Sequence, residues 1–431
     1  MSFSRTTGLD LPHTNIWDTV DARSGTGTLA LQRMRIGNRV RRIYERRPYP
    51  PRSLRRPGAS WTLLPIEWIH AVLESTAPFA PARILVAGCG VGAEAFAFAQ
   101  QFPAAEVVGV DFSPRSIAIA NGLRRTAKGG QRVRFEVADI ANRDLVEIAG
   151  GRFDLVSCHG VLSYVPEPGA VLRNFVRCLT TAGVVVLGVN GASHPSLRWR
   201  PVLSRFGIDA DEFRESRWVR EVLRVCQSLS DPPISMAERD AGYLAGDLFG
   251  PLNRALSLAE WNRFCRQAGL HLLGSYHAHF AIRDLLNHEL HGAVMPRSRA
   301  EVAELVDSLQ PASFHQLVLS RRAPMKTPWT EGNRLLRRRP FVTSLYEFRL
   351  PDRTGSWQKK RNLTLRSRPV NTKVNLRVPQ WEVEILRRSN GERSLGEILD
   401  PVKPAVSAKS LRQAMYLLYQ LGVVNLLPEE R

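Results

Sequence analysis

The chain has 431 residues, of which 44% are hydrophobic and 23% are charged. This composition is typical of folded globular proteins and excludes disordered, collagen-like and disulfide-rich chains, and the length predicts two or three domains. The net charge is +20, but the basic excess lies in residues 1–60 and 320–431, whereas residues 61–319 are nearly neutral.

The basic segments raise the question of a nucleic-acid partner. The two densest runs are Arg337-Arg338-Arg339 and Lys359-Lys360-Arg361. Neither run contains the interleaved aromatic residues that form a single-strand binding platform. A nucleic-acid partner is therefore disfavoured.

The cysteines and the hydrophobic pattern predict the compartment. Five scattered cysteines without a CxxC pair suit reduced thiols. No uninterrupted apolar run of about 18 residues occurs, and the N-terminal segment lacks the hydrophobic core of a signal peptide. We therefore expect a cytoplasmic protein without a membrane span.

Residues 1–60 are predicted to form a basic N-terminal extension. It contains one short helix near Leu29–Tyr44 and then a Pro/Arg-rich stretch, Arg46–Arg52, that cannot continue a helix. A predicted helix at Leu63–Leu73 leads into β-branched runs that alternate with helical segments, which predicts a parallel sheet flanked by helices. The predicted strands are Arg83–Ala87, Val107–Asp111, Val133–Ala138, Phe153–Cys158 and Val184–Val189, and the predicted helices are Ala93–Gln101, Pro114–Thr126 and Pro168–Cys178.

The rest of the chain completes an α/β architecture. Two further strands, Leu272–His277 and Gln316–Ser320, complete a Rossmann-like, mostly parallel sheet of seven strands in a domain over 61–322. The long span between the fifth and sixth strands predicts a helical cap over about 191–270. A linker over 323–345 leads to a small α+β domain over 346–431, in which Trp381–Leu427 is predicted to form three helices and an apolar strand.

The most informative motif is a G-x-G-x-G sequence formed by Gly88, Gly90 and Gly92, between an apolar strand and a helix. Glycines at a strand end allow a tight turn and remove side chains, so a ligand can lie against the backbone near the helix N-terminus. The spacing alone does not distinguish a ligand-binding loop from close packing of strand and helix.

Three later strand ends place chemically useful residues at the same edge of the sheet. Asp111 ends the second strand, where its carboxylate can accept hydrogen bonds from ribose hydroxyls. Asp139 and Ile140 follow the third strand and are placed for an adenine amino group and ring. His159 follows the fourth strand. Ligands of open α/β sheets bind outside the carboxyl ends of strands, so these residues are expected to share one crevice.

The order and spacing of these motifs resemble those of class I S-adenosylmethionine-dependent methyltransferases. The resemblance covers residues 61–190 and rests on the glycine motif together with Gly109–Ser113, Ala138–Ile140, Phe153–Val156 and Gly160–Leu162. One departure is Val86, because many members of the family carry an acid two residues before the first glycine. Its absence weakens the grip expected on the amino group of the cofactor's methionine portion.

The flanking segments resemble a subgroup, the bacterial protein-lysine methyltransferases. The upstream Tyr44–Pro50 is similar to a tyrosine-proline element of that subgroup. The segment Leu256–Leu273 is similar to its methyltransferase regulatory domain, and residues 380–427 are similar to its winged-helix-like C-terminal module.

The resemblance implies S-adenosyl-L-methionine as the cofactor. It places Gly88 and Gly90 along the methionine portion, Asp111 at the ribose, and Asp139 and Ile140 beside the adenine. The remaining cofactor-binding candidates are Cys89, Gly92, Phe112 and His159. His159 begins the loop closest to the transferable methyl group, and the candidate catalytic residues are His159, Tyr164 and Tyr49.

Other chemistries have weaker support in the sequence. His288 and His291 are spaced i, i+3 rather than the i, i+4 of zinc proteases, so metal binding is disfavoured. The sequence contains no G-x-S-x-G elbow and no phosphate-binding loop.

The identity of the methyl acceptor stays open at this point. The leading hypothesis is a protein side chain, with a lysine amine as the acceptor. One alternative is a small-molecule or peptide natural-product intermediate, for which the C-terminal domain would dock a protein partner or the precursor. The other is a non-catalytic regulator that binds S-adenosylmethionine only as a ligand.

Overall fold

The computed structural model describes residues 26–50, 64–208, 216–228, 241–279, 297–324, 329, 332–352, 355–368, 373–401 and 406–428. Its centre is a seven-stranded sheet. The strands are β1 (Arg83–Ala87), β2 (Glu106–Asp111), β3 (Val133–Val137), β4 (Phe153–His159), β5 (Leu179–Asn190), β6 (His271–Ser275) and β7 (Phe314–Ser320). They lie in the order β3-β2-β1-β4-β5-β7-β6, and β7 runs antiparallel to both of its neighbours.

The order of the strands creates a crevice at one edge of the sheet. The chain passes outward from β1 through β2 to β3 and then returns to β4 on the other side of β1. Such a reversal separates the loops that follow β1 and β4, and ligands of open α/β sheets bind there. Ile84, Leu85 and Val86 of β1 have no exposed surface, as expected for a central parallel strand that is covered on both faces.

Helices cover the sheet and fix its position relative to the crevice. The helices of this domain are α2 (Ile66–Leu73), α3 (Ala93–Gln101), α4 (Pro114–Arg124), α5 (Leu145–Ile148), α6 (Pro168–Cys178), α10 (Leu258–Gln267) and α11 (Arg299–Leu309). Helix α3 packs on β1, β2 and β3, and α6 packs on β4 and β5. The predicted seven-stranded, mostly parallel fold is therefore confirmed.

Strand β5 and the N-terminal helix extend several residues beyond their predicted bounds. Strand β5 begins at Leu179, because Leu179 pairs with Phe153 before an irregularity that shifts the register. The N-terminal helix α1 spans Thr26–Arg46 and contacts α4. Residues 1–25 and 51–63, which include much of the predicted N-terminal extension, lie outside the described residues.

The span between β5 and β6 divides into two parts. The cap consists of α7 (Pro195–Arg205), α8 (Arg217–Ser228) and α9 (Ala241–Tyr243), and α9 continues into a π-helical turn at Leu244–Leu248. These segments share their own apolar cluster, to which Trp199 and Phe249 belong.

Helix α10 belongs to the main domain and not to the cap. Its Trp261 is fully buried in the main core, and the indole N–H donates to the Asn190 carbonyl at 2.9 Å. The cap is therefore smaller than the predicted insertion over 191–270, because a helix near the end of that span returns to cover the sheet.

The C-terminal unit begins within the predicted linker. The span 323–345 contains the helix α12 (Gly332–Leu336) and the strand β8 (Arg339–Val342), and β8 pairs with the last strand of the chain, β12 (Val424–Leu427). The other elements are β9 (Tyr346–Phe348), β10 (Lys360–Ser367), β11 (Lys373–Pro379), α13 (Gln380–Arg388), α14 (Leu395–Leu399) and α15 (Ala408–Gln420). Pairing with a distant strand is not visible in local composition, which explains why β8 resembled a linker.

Arg299 joins the C-terminal unit to the main domain. Its guanidinium donates to the Tyr419 carbonyl and to Asn425 Oδ1, both at 2.9 Å, and lies 3.9 Å from the centre of the Tyr419 ring. Glu74 at the end of α2 lies 3.5 Å from the same group. The apolar cores of the two units form one continuous cluster, so we expect them to unfold together. None of the described helices has both the length and the apolarity needed to cross a bilayer.

We predict that Arg299→Ala lowers the free energy of unfolding by about 3–5 kcal/mol, the loss typical when one member of a buried charged cluster is removed. The exposed Arg321→Ala variant is the matched control and should leave stability unchanged. Urea unfolding followed by circular dichroism measures both. Equal midpoints for Arg299→Ala and the wild type would contradict this account of the junction.

Candidate functional site

A cavity of about 980 Å³ opens at the carboxyl ends of β1, β2 and β4. Its walls come from this sheet edge, from α1 and from the cap. The volume lies at the upper end of the range for sites that bind a drug-sized ligand. The cavity brings together all but one of the site residues predicted from the sequence: Tyr49, Gly88, Cys89, Gly90, Asp111, Phe112, Asp139, Ile140, His159 and Tyr164.

The glycine loop forms the floor of the cavity, and its backbone is tightly packed. A Cβ at Gly90 would lie 2.3 Å from the Tyr49 carbonyl oxygen, and Gly90 has a φ of +53°. The same carbonyl accepts a hydrogen bond from the Val91 N–H at 3.1 Å. The tight turn therefore needs glycine, because the segment after α1 lies directly on the loop.

Gly92 has a different role from the other two glycines. It is the N-terminal cap residue of α3, and a Cβ there would lie 2.6 Å from the Phe135 ring. It is absent from the described cavity wall. In this structure Gly92 serves close packing of the helix on the sheet.

The Asp111 side chain is hydrogen-bonded to the backbone of the glycine loop. Its Oδ2 accepts from the Gly90 N–H and its Oδ1 from the Ser113 N–H, both at 2.9 Å. The side chain is buried, and burial raises the pKa of its carboxyl to about 6, although the two backbone hydrogen bonds oppose this rise. Each carboxylate oxygen retains a lone pair that can accept a hydrogen bond from a ligand hydroxyl group.

Asp139 and Ile140 lie at the end of the cavity next to β3. Asp139 Oδ1 accepts from the Ala141 N–H at 2.8 Å, and the side-chain amide of Asn174 donates to the Ile140 carbonyl at 3.0 Å. Asn174 thereby fixes the loop from the buried face of α6, a role that the sequence analysis missed. At the neighbouring strand end, the Phe112 ring packs edge-on against Tyr44 of α1 at 6.2 Å.

His159 presents a neutral imidazole to the cavity. Burial lowers the pKa of its ring to about 4. The ring lies 5.1 Å from the centre of the Phe314 ring, and its Nδ1 has no hydrogen-bond partner among the described residues. At neutral pH this imidazole is therefore uncharged, and its ring nitrogen can accept a hydrogen bond.

Tyr164 belongs to a polar network on the wall below the cap. Its hydroxyl donates to Asp247 Oδ1 at 2.6 Å and accepts from the Asn190 amide at 2.8 Å. Asn253 accepts from Asn190 and donates to the Asp247 carbonyl, each at 2.8 Å. Burial, followed by the Asp247 charge, raises the pKa of Tyr164 well above its usual range, so the phenol stays protonated.

Asp247 comes from the π-helical turn of the cap, which the sequence did not predict. A π-helical turn adds a residue to the helical repeat and is often found at functional sites. The same turn packs against α1, and Tyr44 on that helix also lines the cavity. Nothing in the local sequence separates Asp247 from the other acids of the insertion.

Glu94 is a second carboxylate that the sequence analysis did not select. It lies in the first turn of α3, lines the cavity, and accepts a hydrogen bond from the Ser157 hydroxyl at 2.7 Å. Burial raises the pKa of its carboxyl to about 7, and the bond from Ser157 opposes part of that rise. The sequence signal that could have identified Glu94 is its position two residues after Gly92, the last glycine of the motif.

The cavity fits the expected cofactor in shape and in chemistry. Gly88 and Gly90 line the cavity with backbone that carries no side chain. The carboxylates of Asp111 and Asp139 in the same wall can accept hydrogen bonds from hydroxyl and amino groups. Metal binding finds no support in the described ranges, where no group of three or more His, Cys, Asp and Glu residues could hold an ion. His288 and His291 lie outside the described residues.

Comparison with known proteins adds sequence relatives. Residues 80–192 match a family described as a methyltransferase domain. The ubiquinone biosynthesis O-methyltransferase of Pseudomonas aeruginosa is 32% identical over 201 residues, which are 46% of this chain and 79% of that protein.

Two further relatives are matched over less of their length. The corresponding protein of Ralstonia nicotianae is 32% identical over 137 residues, 32% of this chain and 53% of its own length. The uncharacterized protein syc1184_c of Synechococcus sp. is 28% identical over 154 residues, 34% of this chain and 35% of its own length. The chain therefore spans about half or less of these two proteins.

Solved structures also share similarity with the chain. PKMT2 from Rickettsia typhi in complex with AdoHcy has a TM-score of 0.49 and 16% identity, covering 88% of this chain and 77% of that one. The plantazolicin methyltransferase BpumL in complex with SAH has a TM-score of 0.37 and 14% identity, covering 69% of this chain and 100% of that one.

We predict that Gly90→Ala destabilises the fold by about 1–3 kcal/mol, because alanine adopts the left-handed backbone poorly and its Cβ meets the Tyr49 carbonyl. The variant should also bind S-adenosylhomocysteine more weakly in calorimetry. Gly122→Ala is the control, since a Cβ there meets nothing within 4 Å. Equal stability and affinity for Gly90→Ala and the wild type would refute the tight contact.

The raised pKa of Glu94 predicts a pH-dependent stability. The folded-state pKa of about 7 exceeds the usual 4.5, so the folded protein binds more protons than the unfolded chain between these values, and stability falls as pH rises through this window. The groups that face Glu94 stay neutral: they are the Ser157 hydroxyl and the Cys89 and Cys158 thiols, whose pKa values burial raises.

We therefore expect Glu94→Gln to be more stable than the wild type at pH 8 and equally stable near pH 4.5, as measured by urea unfolding. Glu136→Gln on β3 is the control, and its stability relative to the wild type should not change between these two pH values. A stability difference for Glu94→Gln that does not change with pH would contradict the account.

Proposed function

Because the chain belongs to the class I S-adenosylmethionine-dependent methyltransferases, we propose that it methylates a protein side chain, with a lysine amine as the acceptor. The cofactor is S-adenosyl-L-methionine, whose sulfonium supplies an activated methyl group and leaves as a neutral thioether.

In this proposal the predicted site residues hold the cofactor along the sheet edge. Gly88 and Gly90 face its methionine portion, Asp111 accepts hydrogen bonds from the ribose hydroxyls, and Asp139 and Ile140 flank the adenine. Cys89 and Phe112 complete this wall. The side of the cavity lined by Tyr164 and Asp247 then receives the acceptor.

The observation that carries the proposal is the Asp247 carboxylate on the acceptor wall. It is fixed by the Tyr164 hydroxyl, and Tyr44 and Tyr49 line the same cavity. A carboxylate among aromatic rings suits a cationic amine. Within the described part of the wall, the lysine and arginine side chains are Arg33 and Arg41, both on the exposed surface of α1.

The residues of this chain contribute mainly orientation and proton transfer. Methyl transfer is an in-line displacement, and holding the acceptor in line with the methyl group while water is excluded contributes about 7–11 kcal/mol. The acceptor ammonium must first lose a proton. Asp247 is placed to accept it, while Tyr164 stays protonated and fixes the carboxylate. The neutral His159 imidazole supplies a hydrogen-bond acceptor that can orient the amine.

The C-terminal unit supplies a docking surface in this proposal. Along the hairpin of β10 and β11, buried residues alternate with exposed ones, and the exposed residues include Arg366, Lys373 and Arg377. This basic face suits an acidic surface on a protein acceptor. The five cysteines are free thiols, which suits a protein of the cytoplasm.

The second candidate acceptor is the hydroxyl group of a small molecule. The uncharged His159 imidazole favours it, because its ring nitrogen can accept a hydrogen bond from a hydroxyl group. The Pseudomonas and Ralstonia relatives are named as O-methyltransferases.

Label transfer separates the two candidates. The full chain is incubated with methyl-labelled S-adenosylmethionine and a size-fractionated cell extract. The lysine proposal predicts label in macromolecules, recovered as methyl-lysine after hydrolysis. Label confined to solvent-extractable material would refute it in favour of the small-molecule hydroxyl.

We predict that Asp247→Asn lowers kcat for methylation of the labelled acceptor by about 100-fold, the lower limit typical of a lost acid–base group. Its affinity for S-adenosylhomocysteine should stay within about threefold of the wild type, because the change lies on the acceptor side. The exposed Asp352→Asn variant is the matched control. A wild-type kcat for Asp247→Asn would refute the assigned role.

A further inference from the structure

The end of β1 brings no charge to the methionine side of the cavity. Val86 stands at the position where many members of the family carry an acid, and its side chain is fully buried. S-adenosylmethionine nevertheless carries an ammonium group on its amino acid portion. A buried ammonium without a partner is costly, so another acceptor must meet it if the amino acid portion lies along the glycine loop.

Glu94 reaches the same place from the helix on the other side of the loop. Ser157 of β4 is paired in register with Val86 of β1, so their side chains point to the same face of the sheet. The Ser157 hydroxyl donates to Glu94 Oε1 at 2.7 Å. The hydrogen bond thus holds the Glu94 carboxylate beside the side chain of Val86.

The other carboxylates of the cavity have different surroundings. Asp111 accepts hydrogen bonds from two backbone N–H groups, and Asp139 accepts one from a backbone N–H group. Both residues lie at strand ends that are assigned to the adenosine portion of the cofactor. Asp247 is fixed by Tyr164 below the cap, and Glu167 forms an ion pair with Arg33. Of these wall carboxylates, Glu94 is the one that the Ser157 hydroxyl holds beside Val86.

Glu94 also lacks a cation to offset its burial. No lysine or arginine of the described residues forms an ion pair with it, and the Ser157 hydroxyl donates a hydrogen bond to its carboxylate. A positive group carried by a ligand would supply the missing partner, because an opposite charge stabilises a buried carboxylate.

We propose that Glu94 receives the α-ammonium group of the cofactor's methionine portion, in place of the acid that β1 lacks at Val86. The Ser157 hydroxyl is a positioning group for the carboxylate. The assignment concerns cofactor binding alone and does not depend on whether the acceptor is a lysine or a hydroxyl.

The test combines a protein change with a ligand change. Calorimetry measures the dissociation constants of S-adenosylhomocysteine and of its analogue that lacks only the α-amino group, for the full-length wild type and for Glu94→Gln. Glutamine keeps the size of the side chain and an oxygen for Ser157 but removes the charge. Glu136→Gln on the surface of β3 is the matched control, and urea unfolding verifies that each variant is folded.

We expect Glu94→Gln to weaken binding of S-adenosylhomocysteine by about 10- to 100-fold, the loss typical of a hydrogen bond to a charged group, and to change binding of the deaminated analogue by less than about threefold. Glu136→Gln should change neither. Equal losses for the two ligands, or no loss for S-adenosylhomocysteine, would overturn the assignment. Failure of the wild type to bind S-adenosylhomocysteine would overturn it together with the cofactor assignment.

Discussion

The contact between the Tyr49 carbonyl and the Gly90 backbone is the constraint on which the site depends. Because Gly90 has no Cβ, the segment after α1 lies directly on the glycine loop. The Tyr49 carbonyl of that segment accepts a hydrogen bond from the Val91 N–H. The contact fixes one end of α1 over the crevice, so that Tyr44 becomes part of the cavity wall. Asp111 binds the same loop through the Gly90 N–H. One turn therefore determines the floor of the cavity and its cover.

The carboxylates of the cavity differ in the groups that donate hydrogen bonds to them. Asp111 is compensated by two backbone donors, Asp247 by a phenol that stays protonated, and Glu94 by a single hydroxyl. Two histidines in the wall, His159 and His194, are neutral because burial lowers the pKa of each to about 4. The interior is therefore rich in hydrogen-bond acceptors, which suits a positively charged cofactor and the cationic amine proposed as the methyl acceptor.

The sequence predicted the features that depend on local pattern. The apolar run of β1 and the glycines after it gave the bounds of β1 and α3, and each acid at a strand end fell in the cavity because parallel strands end at one edge. Features that depend on distant contacts were missed. Strand β8 needs β12 as its partner, and Asp247 faces the cavity only because the cap packs on α1 and forms a π-helical turn.

The central claim is that one cavity positions the donor along the sheet edge and the acceptor below the cap. A crystal structure of the full chain with S-adenosylhomocysteine tests this most directly. The account predicts a ribose within hydrogen-bond distance of Asp111 and a sulfur atom facing the side of Tyr164 and Asp247. A nucleoside bound elsewhere, or a sulfur atom turned away from that wall, would contradict it.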